Sequence, residues 1–300
     1  MTTITILGTS SMMPTKERNH SALFIKTGGE GLLFDCGEGT QRQMSIADLP
    51  KSAISHIFIS HWHADHTAGL IGLLQTITNS VQKQTVTIHG PIGTIAKMHH
   101  LVKVSVYEDK LPVDIKEYDA KDIVCLVKTN NYSVYAANLE HNTPCLGFSF
   151  IEADKRKMKT QILEKLGVPK GPLYAKLQQG EDIVFENKKI LSKDVTTLTK
   201  GKKFTYIPDT LFTQNAISLA ENAQVLLSES SYMSEHEEKA EEYYHMTAKQ
   251  AAQIAQLSSV KTLYLTHFSL RYKDLQPLLE EARTLFENTH LAYDFLKINL

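Results

Sequence analysis

Between residues 60 and 66 the chain runs Ser60-His61-Trp62-His63-Ala64-Asp65-His66, which crowds four metal-capable side chains into one short turn. Ahead of it, Ser55-His56-Ile57-Phe58-Ile59 is short, β-branched and aromatic, as a buried strand is. Behind it, Ala68, Leu70, Ile71, Leu73, Leu74 and Ile77 recur with helical spacing over 67–79. The turn therefore joins a strand to a helix. In such a turn His61 and His63, two apart, can face one side of an extended backbone, while Asp65 and His66 fall where the chain reverses and reach a second point. Imidazole suits zinc, and a carboxylate helps to hold a hydrolytic centre. A surface turn rich in histidine accounts for any one of these residues, but poorly for four together. A site for two metal ions is the simplest use of the pattern.

Composition sets wide bounds. At 300 residues, 42% hydrophobic and 22% charged, the chain is long enough for one large layered domain or two small ones. No apolar run approaches the ~20 residues of a membrane span, and the start, Ile4-Thr5-Ile6-Leu7-Gly8, has no signal-peptide pattern. Cys36, Cys125 and Cys145 are too scattered for a disulfide framework, so a cytoplasmic setting is expected. A net charge of −1 gives no general affinity for nucleic acid, and any RNA must be held by a local patch. One candidate lies between Ala153 and Lys176, with seven basic residues against two acids; a solvated helix face is the plainer reading of that stretch by itself.

Strand-like runs (3–8, 21–27, 31–35, 55–60, 85–89, 122–127, 131–137, 146–151) dominate the first half, with helical patterns at 39–47, 67–79 and 91–101. The second half alternates strands 203–207, 224–228, 261–266 and 290–296 with helices 212–221, 247–257 and 274–286. Residues 153–202 interrupt the alternation. They are lysine-rich, carry Gly167, Pro169, Gly171, Pro172, Gly180 and Gly201, and show helical spacing only near Met158 to Leu166. Their length favours a functional insertion.

The motif is similar to that of the metallo-β-lactamase superfamily, and the partners such a site requires occur in order. His141 follows a strand-like run, Asp209 ends the strand Phe204-Thr205-Tyr206-Ile207, and His267 ends Thr262-Leu263-Tyr264-Leu265-Thr266. The resemblance implies an α/β (α+β) fold, a four-layer αββα sandwich spanning residues 1–300. It assigns one zinc to His61, His63 and His141 and the other to Asp65, His66 and His267, with Asp209 between ions ~3.5–4 Å apart. Two Zn²⁺ would be neutralised by Asp65, Asp209, a hydroxide and one phosphodiester, which suits phosphodiester hydrolysis.

Within the superfamily, the chain resembles the short-form ribonuclease Z family over nearly its whole length, which implies removal of 3′ trailers from precursor tRNA. Phe34-Asp35-Cys36-Gly37-Glu38-Gly39-Thr40 looks like the family's first motif, in which the aspartate braces the ligand loop; a strand-end carboxylate capping its own turn is the alternative. Pro14-Thr15-Lys16-Glu17-Arg18-Asn19 is similar to the PxKxRN loop, which assigns Lys16, Arg18 and Asn19 to substrate handling; without the family it is a polar hairpin loop. Residues 153–202 resemble the flexible exosite arm, with Lys170, Gly171, Pro172 and Lys176 at its basic tip. In that family the arm grips tRNA while the other subunit cuts, implying a homodimer. Glu229 and His245 fall at positions of a proton-donating pair, Asp65 at one that also assists the attacking water, and Ser269 and Arg271 in a closing motif similar to LTHFSxRY. Three residues depart from the family pattern: Ser228, Met246 and Pro208. A small-molecule hydrolase of the same superfamily, or an RNA-binding protein without catalysis, are the competing readings; the basic insertion weighs against the first and the complete ligand set against the second.

Overall fold

The computed structural model describes residues 2–78, 85–104 and 113–300, so residue 79, the expected end of one helix, lies outside the described residues. Two seven-stranded sheets organise the main unit, which comprises residues up to Thr129, Ser133–Phe150 and Lys203–Leu300. Across the first sheet the order is Lys297–Asn299, Thr3–Gly8, Ala22–Thr27, Glu30–Phe34, Ile54–Phe58, Val86–Pro91, Val113–Tyr118. Across the second it is Thr289–Leu291, Thr262–Thr266, Val225–Glu229, Lys203–Ile207, Cys145–Glu152, Tyr132–Leu139, Val124–Lys128.

Strand alternation sends side chains to both faces of each sheet. Leu7, Leu33, Ile57 and Ile88 turn outward and are covered by Met44, Leu70, Leu73 and Met98 of the flanking helices. On the inner face Phe34 stacks on Phe58 at 4.6 Å, and both rings meet Phe148 of the second sheet at 5.5 and 5.7 Å. Beyond the second sheet, Ile207, Leu226, Leu263 and Leu265 pack with Leu219, Ala251, Ile254 and Leu278 of its helices. The result is four layers, helix, sheet, sheet, helix, which is the metallo-β-lactamase fold. Among the described residues no helix is long and apolar enough to cross a membrane.

Parallel pairing decides where chemistry can sit. Glu30–Phe34, Ile54–Phe58 and Val86–Pro91 run parallel in one sheet, as do Lys203–Ile207, Val225–Glu229 and Thr262–Thr266 in the other. Their carboxyl ends open at loops that carry Asp35, His61, Asp209, Ser230 and His267.

Two sequence expectations change on the tertiary scale. The expected helix over 67–79 is two pieces, Ala64–Thr67 and Leu70–Thr78. It breaks where Gly69 is pinned under the first motif: Gly69 N donates to the Cys36 carbonyl at 2.9 Å, and a Cβ on Gly69 would overlap the Gly37 carbonyl. The expected strand 290–296 ends early, as Thr289–Leu291 in the second sheet, and a further strand that was not expected, Lys297–Asn299, follows in the first. Between them Phe295 takes a left-handed φ of 71°, and Asp294 accepts hydrogen bonds from Asn19 N, Thr9 Oγ1 and Gln43 Nε2, which turns the chain out of one sheet and into the other.

Ile151–Lys202 with Asn130–Tyr132 form a second compact unit. It holds more structure than its sequence suggested. Helices Thr160–Lys165 and Pro172–Gln179, a ladder of Lys155–Met158 with Thr196–Thr199, and a hairpin of Ile183–Phe185 with Lys188–Ile190 surround a small core of Leu163, Val168, Leu177, Ile183, Ile190 and Val195. Elements this short contribute one or two core residues each, so no periodicity accumulates along the sequence. Lys155, Lys157, Lys159, Lys165, Lys170 and Lys176 are all exposed.

Candidate metal centre

Asp35 follows the strand Glu30–Phe34 with a left-handed φ of 55°, which aims its buried carboxylate back toward the histidine-rich turn. Ser60 N and Ser60 Oγ donate to it at 2.8 Å each, Tyr206 OH at 2.9 Å, and His66 Nδ1 at 2.8 Å. The last bond fixes the His66 tautomer, with hydrogen on Nδ1 and the bare nitrogen at Nε2. That nitrogen faces Asp65 Oδ2 at 3.6 Å and Asp209 Oδ1 at 3.5 Å. The turn itself is clamped to the first motif, since Cys36 N donates to the His66 carbonyl at 2.7 Å. Gly37 is required beneath it: a Cβ there would overlap the Asp65 carbonyl.

Donor atoms gather in two sets, each lying within 4.8 Å of one another: His61, His63, His141 and Asp209, then Asp65, His66, Asp209 and His267. In the first, His61 Nε2 lies 3.1 Å from His63 Nδ1, His63 Nδ1 lies 3.3 Å from His141 Nε2, and Asp209 Oδ2 is 3.7 Å from His61 Nε2. In the second, His267 Nε2 lies 3.5 Å from Asp65 Oδ2 and 3.3 Å from Asp209 Oδ1. Asp209 thus turns one oxygen to each set.

The donor chemistry fits metal ions better than it fits hydrogen bonding. His66 Nε2 and Asp209 Oδ1 are buried with no hydrogen-bond partner, an expensive arrangement unless a cation takes the lone pairs. Burial pushes the pKa of His61 well below that of a free imidazole, and those of His63 and His141 below it, so these rings are neutral and able to coordinate. Burial likewise lowers His66, but Asp209 and Asp35 on its two sides outweigh it and raise its pKa to about 10, so its Nε2 stands where a cation is favoured, a proton that a metal ion would displace. Burial resists ionisation of Asp209 too, and the charges of His267 and His66 overcome it, holding the carboxyl well below its usual range. Positive charge is favoured where the two sets meet.

Glu229 ends the strand Val225–Glu229 and is wholly buried. Its Oε1 accepts from His245 Nδ1 at 3.0 Å, Met246 N at 3.1 Å and Thr210 N at 3.0 Å. Its Oε2 accepts from Ser231 Oγ at 2.7 Å, and that hydroxyl accepts in turn from His267 Nδ1 at 2.9 Å. Burial lowers the His245 pKa, but the Glu229 carboxylate outweighs it and lifts it to about 9, leaving the ring protonated at neutral pH. His141 Nδ1 donates to the Tyr244 carbonyl at 2.9 Å.

A cavity of about 970 Å³ opens over these groups, lined by His63, Asp65, His141, Asp209, His245 and His267, and also by Ser269 and Arg271. Other residues marked by the sequence lie elsewhere. Arg18 is half-buried: its Nη1 donates to Thr9 Oγ1 at 2.8 Å and to the Ala292 carbonyl at 3.1 Å, and its guanidinium covers the Phe268 ring at 4.7 Å. Asn19 Nδ2 donates to the Glu38 carbonyl at 2.8 Å, and Lys16 is exposed; none of the three lines the cavity. Lys170, Gly171, Pro172 and Lys176 belong to the second unit, where Gly171 precedes the helix Pro172–Gln179 with a φ of 143°. Sequence reasoning missed Ser60, Tyr206 and Ser231, which hydrogen-bond the candidate donor residues or their brace Asp35 from behind. Ser60 directly precedes the motif and Ser231 lies two residues past Glu229, but nothing in Tyr206 marks it as a donor to Asp35.

Comparison with known proteins agrees with this geometry. A family model described as "Anti-Pycsar protein Apyc1" matches residues 2–140, and one described as "Beta-lactamase superfamily domain" matches residues 179–268. Ribonuclease Z of Archaeoglobus fulgidus is 41% identical over 301 residues, covering 99% of this chain and 97% of that one. The chain belongs to the ribonuclease Z family. Ribonuclease Z of Protochlamydia amoebophila is 39% identical, with 99% and 98% covered. Among solved structures, human tRNase Z, short form, superposes with a TM-score of 0.73 at 27% identity, covering 99% of this chain and 98% of that one.

As a ribonuclease Z family member, the chain carries its departures where they disturb little. Met246 is buried in the core beside the second sheet and reaches Glu229 through its backbone N–H, which any side chain but proline provides. Ser228 is buried on the same strand as Glu229, and Asp209 sits between the two donor sets despite Pro208 before it.

Asp35→Asn keeps the shape and tolerates the left-handed φ, but sets an NH₂ against donors. It should lower metal affinity by about 10- to 100-fold, measured by competition with a chromogenic chelator. Unchanged affinity would show that Asp35 does not orient His66.

Proposed function

We propose that the chain is a zinc-dependent endoribonuclease that removes 3′ trailers from precursor tRNA, leaving a 3′-OH on the tRNA and a 5′-phosphate on the trailer. One observation carries the reading: two donor sets sharing Asp209 lie in the same cavity as an imidazole that a buried carboxylate holds protonated. His61, His63 and His141 would hold one ion, Asp65, His66 and His267 the other, and Asp209 both. Bound zinc would supply positive charge facing the phosphate and a water made nucleophilic near neutral pH.

The chain's own residues do the rest. Water adds to phosphorus and the bond from phosphorus to the ribose 3′ oxygen breaks, so that oxygen needs a proton as it leaves. His245 holds one on the cavity wall, and Glu229 orients the ring through Nδ1, leaving Nε2–H to donate. Asp65, ionised against the opposing effect of burial by its hydrogen bond to His267 and the charge of His66, can take a proton from the attacking water. Ser269 and Arg271, which line the same cavity, would meet phosphate oxygens. The second unit, with its exposed lysines, is assigned to the tRNA body as a flexible arm working within a homodimer; phosphate contacts of this kind are indifferent to sequence, as an enzyme acting on every tRNA needs. A cytoplasmic location belongs to the same proposal and rests on the three scattered cysteines, Cys36, Cys125 and Cys145.

The decisive experiment incubates purified, zinc-loaded protein with a 3′-extended tRNA precursor and maps the ends; cleavage after the discriminator nucleotide, abolished by chelator, is expected. Intact RNA overturns the reading. His245→Ala should slow RNA cleavage by about 10²- to 10⁴-fold, while the loss on bis(p-nitrophenyl) phosphate, whose leaving group departs without a proton, should be at least about tenfold smaller. Equal losses on both substrates would remove His245 as the proton donor. Excision of residues 160–195 should weaken tRNA binding far more than it slows hydrolysis of the small ester, and parallel loss would withdraw the arm's role.

A further inference from the structure

The lip of the cavity carries a feature that the hydrolytic reading does not use. Met12 and Met13 both line the cavity, yet 71% and 52% of their surfaces are exposed. Two adjacent large apolar side chains left exposed on a cavity wall form a small contiguous contact surface. Here the backbone beneath them is built to hold them there. His20, itself 7% exposed, bonds the Met12 carbonyl through Nε2 at 3.0 Å, and Ser10 Oγ donates to the Met13 carbonyl at 2.5 Å. Ser11 N donates to the Phe268 carbonyl and Ser10 N to the Asn19 carbonyl. His20 packs in turn against Gly37, under the loop that bears Asp65. The segment is therefore registered to the ligand loop, with fixed backbone and free thioethers.

We propose that Met12 and Met13 form a platform for an unstacked nucleobase next to the scissile phosphate, an inference that rests on the ribonuclease reading above. The positive charge of the cavity is gathered at the scissile phosphate, on the metal sets and His245, and Arg271 is the one lysine or arginine among the lining residues, so the nucleotides on either side of that phosphate meet little charge. The bases must contribute. A thioether is polarisable and adaptable and carries neither a strong donor nor a strong acceptor, so it contacts the face of any base without selecting its edge. That indifference suits a cut made beside nucleotides of every kind. It also demands single-stranded RNA, because a paired, stacked base has no free face to offer.

The test crosses protein variants with substrate variants. Met12→Ser with Met13→Ser should lower kcat/KM on a 3′-extended precursor by about 5- to 50-fold, mainly through KM, and by more than on bis(p-nitrophenyl) phosphate. Met12→Leu with Met13→Leu should recover most of it. An abasic ribose placed at the discriminator position, or at the first trailer position, should cost the unaltered protein a comparable factor at one of the two sites, and cost the double serine variant nearly nothing further. Abasic penalties that persist in full in that variant, or their absence from the unaltered protein, overturn the platform. Equal loss on both substrates gives the methionines a structural role, and a changed oligomeric state with intact RNA handling gives the patch to a second copy of the chain. Failure of the unaltered protein to cut the unmodified precursor overturns the ribonuclease reading and this one with it, whereas cleavage with additive penalties overturns this one alone.

Discussion

A single buried carboxylate joins the parts of the molecule that must agree on geometry. Asp35 ends a strand of the first sheet, takes hydrogen bonds from the turn that carries the first histidines, and takes another from Tyr206 in the second sheet. A carboxylate removed from water is costly unless its oxygens are filled, and here four donors fill them. The left-handed backbone at Asp35 adds a local cost of ~1–3 kcal/mol. It is tolerated because the surroundings over-determine the conformation: Cys36 and Gly69 clamp the same loop through backbone bonds. Strain and burial are both spent on one outcome, a bare His66 Nε2 held at a fixed point.

The same device recurs around the centre. His61 Nδ1 meets Ser60 Oγ, His141 Nδ1 the Tyr244 carbonyl, and His267 Nδ1 the Ser231 hydroxyl. Each rear contact sets which nitrogen is free and where it points, so the donor sets are organised by the fold rather than gathered by an ion. Ser231 does more, because its hydroxyl also donates to Glu229, which orients His245. A donor group of the second set and the proposed proton donor therefore share one network. Disturbing either alters both, which is why tests that compare substrates with different leaving groups separate them where a single rate does not.

Much of the architecture was legible because the sheets are buried. Between Thr3–Gly8 and Cys145–Glu152 every strand but Val113–Tyr118 read as a short apolar run, and the helices beside them kept their 3.6-residue spacing; Val113–Tyr118, where Asp114, Lys116 and Glu117 break the apolar run, was missed. Failures came where long-range contact overrides local pattern. Gly69 under the Gly37 carbonyl splits a helix that reads as continuous, and the bonds made by Asp294 turn the chain where the sequence reads as strand, so that the expected strand stops at Leu291 and a separate one begins at Lys297. Arg18, whose motif suggests substrate, is packed over Phe268 and bonded to Thr9, a use that no linear pattern reports.

The sequence by itself determined which atoms were available: a turn of three imidazoles and a carboxylate, and three further candidate ligands, His141, Asp209 and His267, each at the end of a strand. Local spacing is enough for that, because it decides which residues a strand-to-helix turn presents. Only the tertiary structure decided that Asp209 turns one oxygen to each donor set, that Ser60, Tyr206 and Ser231 orient the rings from behind, and that Met12 and Met13 stand on the lip. Those relations join residues up to some two hundred positions apart, as His267 and Asp65 do. They follow from how two twisted sheets pack, which no local periodicity encodes.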